Sequence, residues 1–188
     1  MLHETVNEFL DNAGYFSDNF KSGLDEMLHT EFYKNKQIVH AVGQVESALY
    51  LIKTGFARDY YYDHNGEQYT VKFWKPGEVI FSYEGYYRVP SFYYTEFLDL
   101  SEVVTLSYHH LDELQQTFPE TFTLVKYALL KNRKEEYERQ RLLTLSANER
   151  YESLFLQSPI IFQKSPVKFI ASYLHMSRET LARLMTKR

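Results

Sequence analysis

The apolar positions of this chain change period twice. In the first 30 residues Val6, Phe9 and Leu10, and later Leu24, Met27 and Leu28, recur at the spacing of an amphipathic helix. From about Gln37 to Ser107 the pattern shortens to strand-like runs: 48–53, 56–63, 67–73, 79–81, 92–97 and 102–106. Turn residues separate them, namely Thr54-Gly55, His64-Asn65-Gly66, Pro76-Gly77 and Glu84-Gly85, and Asn65-Gly66 between aromatic runs predicts a hairpin. Seven or eight short strands so spaced predict a jelly roll or small barrel. After Ser107 the helical period returns, with a short helix over 109–118 and a long one from Pro119 to about Thr144. Phe122, Val125 and Leu129 mark an apolar seam on the long helix, and the pairs Lys131–Glu135, Lys134–Glu138 and Glu135–Arg139, four apart, are expected to support its exposed half. A further helix over 146–157 precedes Ser158-Pro159.

The last 24 residues carry the clearest signal. Ser165 and Pro166 fit an N-cap and first helical position, and Val167, Ile170, Ala171 and Leu174 line one face of a short helix. Ser177 begins a second helix, with Glu179 in its first turn and Lys187 and Arg188 at its end, matching the helix dipole. Two short helices about three residues apart form a helix-turn-helix, whose second helix can enter a DNA major groove. On that second helix Leu181, Leu184 and Met185 share one side, while Glu179, Arg183, Thr186 and Lys187 share the other, with Arg178 at its edge. Arginine can donate two hydrogen bonds to guanine and glutamate can accept one from cytosine. An ordinary amphipathic terminal helix would show a similar division of faces.

Charge distribution favours the first reading. Residues 1–125 hold 8 Lys and Arg against 19 Asp and Glu (net −11), whereas residues 126–188 hold 13 against 6 (net +7). An acidic front and a basic back suit a sensor joined to a nucleic-acid reader. No apolar run approaches a membrane span, the N-terminus lacks the pattern of a signal peptide, and there is no Cys for disulfide, thiolate metal site or nucleophile. The cytoplasm is the expected location. Many of the 17 Tyr alternate within the strands, where packing is their expected role.

In this order, a β-roll, a long helix and a terminal helix-turn-helix resemble the Crp/Fnr family of bacterial transcription regulators over nearly the whole chain. The local anchors are 49–58 (LYLIKTGFAR), 75–80 (KPGEVI) and, most specific, 177–183 (SRETLAR). The expected architecture is α+β: an N-terminal β-roll (double-stranded β-helix or jelly roll) with flanking helices over 1–118, a connecting and dimerisation helix over 119–145, and a helix-turn-helix over 146–188. The resemblance implies base-edge contacts by Arg178, Glu179 and Arg183, and phosphate contacts nearer Ser177, Thr180 and Lys187. It also implies double-stranded DNA as partner, a homodimer whose seam would be Phe122, Val125 and Leu129, and contact with RNA polymerase. Packing of that seam within one subunit is the competing reading. Two departures stand out: the chain stops at Arg188 without a clear β-wing, and His175 occupies the turn position where the motif usually has Gly.

The resemblance is weakest at the effector site. Relatives that bind cyclic nucleotides use a Gly-Glu pair and a later Arg to hold the phosphate. Here 81–93 reads FSYEGYYRVPSFY: Glu84 and Gly85 stand in reversed order, and Ser91 falls where the phosphate-binding Arg is expected. Desolvating a phosphate without a paired cation is unfavourable, so no cyclic AMP or cyclic GMP binding is expected. Tyr83, Glu84, Tyr86, Tyr87, Arg88 and Ser91 are the residues positioned to line a pocket for some other small-molecule effector, with Arg88 otherwise pairing with Glu84. A cupin-type metal enzyme on the same roll would need His and carboxylate ligands converging on one ion, but the seven His show no such spacing and no catalytic motif is present. The expectation is therefore a regulator, neither an enzyme nor a metalloprotein. A degenerate regulator acting through protein contacts is the remaining alternative.

Overall fold

The computed structural model describes residues 3–186. Lys187, assigned above to DNA backbone contact, lies outside the described residues. Two helices open the chain, α1 (Glu4–Ala13) and α2 (Asp18–Met27), the second capped by the Ser17 hydroxyl accepting from the Phe20 N–H. Eight strands follow: β1 (His29–Tyr33), β2 (Ile38–His40), β3 (Ala48–Thr54), β4 (Ala57–Tyr62), β5 (Gln68–Trp74), β6 (Val79–Ile80), β7 (Tyr94–Phe97) and β8 (Ser101–Ser107), with the one-turn helix α3 (Tyr83–Tyr86) between β6 and β7. They pair antiparallel in two sheets of four, ordered β1-β8-β3-β6 and β2-β7-β4-β5. This is the expected β-roll in an α+β fold.

The Asn65-Gly66 hairpin joins β4 and β5 as expected. Gly66 has φ +80°, and the Asp63 carboxylate accepts from the Asn65 and Glu67 N–H groups to close the loop. Two further elements depart from the sequence reading. β1 overlaps the helical stretch only at His29 and Thr30 and otherwise precedes the first strand-like run: its exposed and half-exposed residues form an edge strand, which lacks a clean alternation. A short helix that the pattern over 146–157 does not extend to begins at Pro159, because proline's fixed φ suits a first turn.

After β8 come α4 (Tyr108–Thr117), α5 (Glu120–Leu143), α6 (Ala147–Gln157), α7 (Pro159–Lys164), α8 (Val167–Tyr173) and α9 (Arg178–Thr186). A full capping box between Ser146 and Glu149 sets the start of α6. The expected Ser165 cap is displaced by one residue. Pro166 stands at the N-cap of α8, and Ser165 closes α7 with its hydroxyl buried.

Alternation along the strands sorts the core into three clusters. Ala48, Tyr50, Ile52, Ala57, Trp74 and Phe97 point between the sheets. Leu51, Val104 and Leu106 face outward from the first sheet, against α1, α2, α4 and α5. Phe56 and Phe73 face outward from the second sheet and join Tyr151, Leu154, Phe169, Ile170, Leu174 and Leu181 in the core of the terminal helices. The terminal helices are thus packed directly on the roll.

Candidate nucleic-acid interface and sensor pocket

Several side chains hold the helix-turn-helix on the roll. Ser172 on α8 donates to the Gln68 carbonyl at 3.1 Å and accepts from the Thr70 N–H at 3.0 Å, pairing the open edge of β5. Arg58 on β4 is fully buried, donating to Glu96, Thr70 and Gln68 while its guanidinium lies 3.3 Å from the Phe169 ring centroid. Burial lowers the Arg58 pKa, and the Glu96 carboxylate opposes that shift, so the group remains a cation. Arg150 donates to the carbonyls of Leu145 and His175, tying α6 to the turn.

The turn itself is a Schellman motif. His175 N–H donates to the Ser172 carbonyl and Met176 N–H to the Ala171 carbonyl, with His175 left-handed at φ +49°. His is thus accommodated where Gly is usual, and its Nε2 lies 3.3 Å from an Arg139 nitrogen. Burial, helped by Arg139 and Arg150, lowers its pKa.

Ser177 caps α9 by accepting from the Thr180 N–H at 3.1 Å, and its hydroxyl donates to Thr180 Oγ1 at 3.1 Å. Leu181 is fully buried and Leu184 packs beside it, while Met185, placed with them by periodicity, is 37% exposed. The opposite face presents Arg178, Glu179, Ala182, Arg183 and Thr186 to solvent. The Glu179 carboxyl is held below its usual range, chiefly by its own backbone N–H and then by Ser177.

The six residues expected to line an effector pocket do not converge. Tyr83 donates to the Leu129 carbonyl of α5, Tyr86 accepts from Gln115 of α4, and Tyr87 is 64% exposed. Glu84 is half-buried, and burial raises its pKa. Arg88 pairs with Asp112 at 2.6 Å, not with Glu84, and also donates to the Gly85 and Tyr108 carbonyls. Only Ser91 faces inward, buried, donating to the Tyr93 carbonyl.

In place of that pocket the roll gathers His40, Glu46, Asp59, Ser82, Ser91 and Tyr108. Glu46 Oε2 accepts from Ser82 Oγ at 2.7 Å and lies 3.4 Å from His40 Nδ1. Asp59 accepts from Thr95 at 2.7 Å. Burial raises the pKa of both carboxyls and lowers that of His40. At Gly85 the fit is tight: a Cβ would lie 2.2 Å from the Tyr108 hydroxyl and 2.7 Å from Glu46 Oε2. An anion placed here would meet two carboxylates and no uncommitted Arg. Sequence reasoning missed His40, Glu46 and Asp59, whose only signal is a charged or polar residue within a strand-rich apolar region. Among the described residues no group of three or more His, Cys, Asp or Glu is placed to hold a metal ion, and no helix is long and apolar enough to cross a membrane.

On α5 the seam divides. Val125 is buried and Leu129 half-buried, both against the outer face of the first sheet, because the first half of α5 is the lid of that core. Phe122, Leu130 and Tyr137 are the apolar residues left in solvent, at 57%, 59% and 56% exposure.

No protein-family model and no curated protein matches the chain. Solved structures do. FixK2 from Bradyrhizobium japonicum superposes with a TM-score of 0.75 at 16% identity, covering 85% of this chain and 83% of that one. A putative transcriptional regulator of the Crp/Fnr family from Eubacterium rectale gives 0.72 at 17% identity, over 92% and 83% of the two chains. CLP of Xanthomonas campestris, described as a c-di-GMP-responsive global regulator, gives 0.67 at 16% identity and covers 91% of each chain. At these identities the likeness establishes architecture, and the chain has the fold of the Crp/Fnr-type regulators, a cyclic-nucleotide-binding-type β-roll carrying a helix-turn-helix.

Proposed function

We propose that the chain is a sequence-specific DNA-binding regulator, with residues 1–118 as sensor, 119–145 as connecting and dimerisation helix and 146–188 as reader. The observation that carries this reading is the division of α9. Leu181 and Leu184 anchor one face, while Arg178, Glu179 and Arg183 stand in solvent on the other, in the geometry of a recognition helix. Ser177 is engaged in capping, so its DNA contact would come through the same hydroxyl or its backbone. Phe122, Leu130 and Tyr137 are the proposed dimer stripe, replacing Val125 and Leu129. A two-fold dimer would present two copies of α9 to half-sites about one DNA turn apart.

The test is a gel shift on DNA from upstream of the chain's own gene, across a salt series, with Arg183→Ala as comparison. Specific binding should weaken about 5- to 160-fold in the variant, the loss expected when a base-contacting arginine is removed. Equal, weak binding by both proteins that tracks salt alone would refute specific reading.

A further inference from the structure

An apolar cavity of about 60 Å³ lies between the outer face of the first sheet and the helices that cover it. Leu10, Leu24, Leu51, Val104, Leu106 and Val125 form its deepest walls. It is on the opposite side of the first sheet from the roll interior, where Glu46 and Asp59 sit. With apolar side chains on every side, it offers a ligand no hydrogen-bonding partner. A cavity of this kind stays dry and accepts apolar matter, and about 150 Å³ is enough for benzene. The chamber here is too small for a ring and suits a short alkyl chain.

Beside the chamber lies a second, polar void, its vestibule in the arrangement inferred below. This smaller void of about 10 Å³ shares Phe9, Val79 and Ala128 with the chamber and is otherwise bounded by Trp74, Glu78, Lys131, Asn132 and Glu135. Charges in this vestibule are unevenly committed. Glu135 pairs with Lys72 at 2.6 Å rather than with its helical neighbour Lys131, and Glu78 pairs with Lys75 at 3.4 Å. The Asn132 side chain accepts from Lys72 and donates to the Phe81 carbonyl. Lys131 is half-buried, and among the described residues it has no ion-pair or hydrogen-bond partner. A cation with no ion pair of its own therefore stands beside an apolar chamber, the two carboxylates of the same void being held by Lys72 and Lys75.

We infer that this is a binding site for a short-chain aliphatic carboxylate, with the alkyl chain in the chamber past Ala128 and the carboxylate on Lys131. The chemistry differs from that of the roll interior. There an anion would face buried carboxylates, whereas here the uncommitted charge is positive. The chamber also rests on Leu124, Val125 and Ala128 of α5, so its occupant would touch the helix that connects roll to reader.

Trp74 is the only tryptophan and borders the vestibule, so its fluorescence reports occupancy directly. The free protein is titrated with sodium acetate, propanoate, butanoate, pentanoate and hexanoate, with butan-1-ol and butylamine as head-group controls. The carboxylates should give saturable changes that tighten about four-fold per added methylene until the chamber is full. Lys131→Met should weaken butanoate at least ten-fold and leave butanol unchanged. Ala128→Leu, which narrows the passage, should weaken every member of the series. Thermal denaturation of both variants establishes that they fold. The inference is overturned by the absence of a saturable response, by affinity independent of chain length, or by a folded Lys131→Met variant that binds butanoate as well as the wild type. DNA plays no part in the measurement, so its outcome is independent of the reader assignment.

Discussion

Replacing Arg58 by methionine should destabilise the protein far more than loss of a surface ion pair. Its side chain is 1% exposed, and that of its partner Glu96 is 11% exposed. The guanidinium donates twice to Glu96 and once each to Thr70 and Gln68, and it stacks between Tyr60 and Phe169. Methionine fills much of the volume but leaves the Glu96 carboxylate buried without a counter-charge. Breaking a buried pair from one side costs about 3–5 kcal/mol, against about 0–1 kcal/mol for an exposed pair. For a chain of this length that corresponds to a fall in Tm of about 6–20 °C. The assay is urea and thermal denaturation of wild type, Arg58→Met, Glu96→Gln and the double variant. Removing both charges should restore more than half of the loss, because the penalty lies in the orphaned carboxylate rather than in the missing attraction. A single-variant loss below about 1 kcal/mol would refute the claim that this pair is dry and buried between roll and reader.

The remaining expectations concern the roll interior and the turn. Burial raises the folded-state pKa of Glu46, so its contribution to stability is fully present below the unfolded value and is lost as pH rises through the folded one. Glu46→Gln should therefore gain on wild type as pH rises and lose that gain on acidification; urea midpoints from about pH 5 to 8 give the comparison, and a gap that does not vary with pH contradicts it. His40 works in the opposite sense: with its folded pKa lowered, its contribution is present above its ordinary 6.5 and lost on acidification, so His40→Gln should flatten the wild-type decline there. At the left-handed His175, Gly should be more stable than Ala by about 1 kcal/mol in thermal denaturation, since an L side chain there is strained; equal stability would argue against the Schellman turn. Cyclic AMP should leave Trp74 fluorescence without a saturable response, whereas quenching at micromolar ligand would overturn the expectation that no cyclic nucleotide binds.

Much of the architecture was legible because short-range rules govern it. Asn65-Gly66 marked the hairpin, and the Ser177 hydroxyl caps the helix it was expected to begin. The misses have equally local causes. The six residues of α7, which Pro159 starts, are too few for periodicity to mark, and the edge strand β1 lacks the alternation of a strand with one buried face. On α5, periodicity placed Phe122, Val125 and Leu129 on one stripe but could not say which surface that stripe would meet. It turned out to straddle the margin of the first sheet's core, which buries Val125 and leaves Phe122 in solvent.

The site residues divide along the same line. Arg178, Glu179 and Arg183 could be assigned to the solvent face of α9 from sequence alone, because a helix of known phase places residues a few positions apart by geometry. The interior cluster could not be foreseen. His40, Glu46 and Asp59 come from β2, the β2–β3 loop and β4, while Ser82, Ser91 and Tyr108 come from the start of α3, the loop before β7 and the start of α4. Only closure of the roll brings Glu46 within reach of Ser82 and His40 and buries the others nearby. The same holds for Lys131, whose helical partner Glu135 was taken by Lys72 of β5 once α5 had packed on the sheet. By itself the sequence determined the order and type of most elements and the reading face of the last helix, since these depend on spacing along the chain. Which charges are buried, paired or left free was decided by tertiary structure, because it depends on segments far apart in the chain meeting in a medium that penalises unpaired charge.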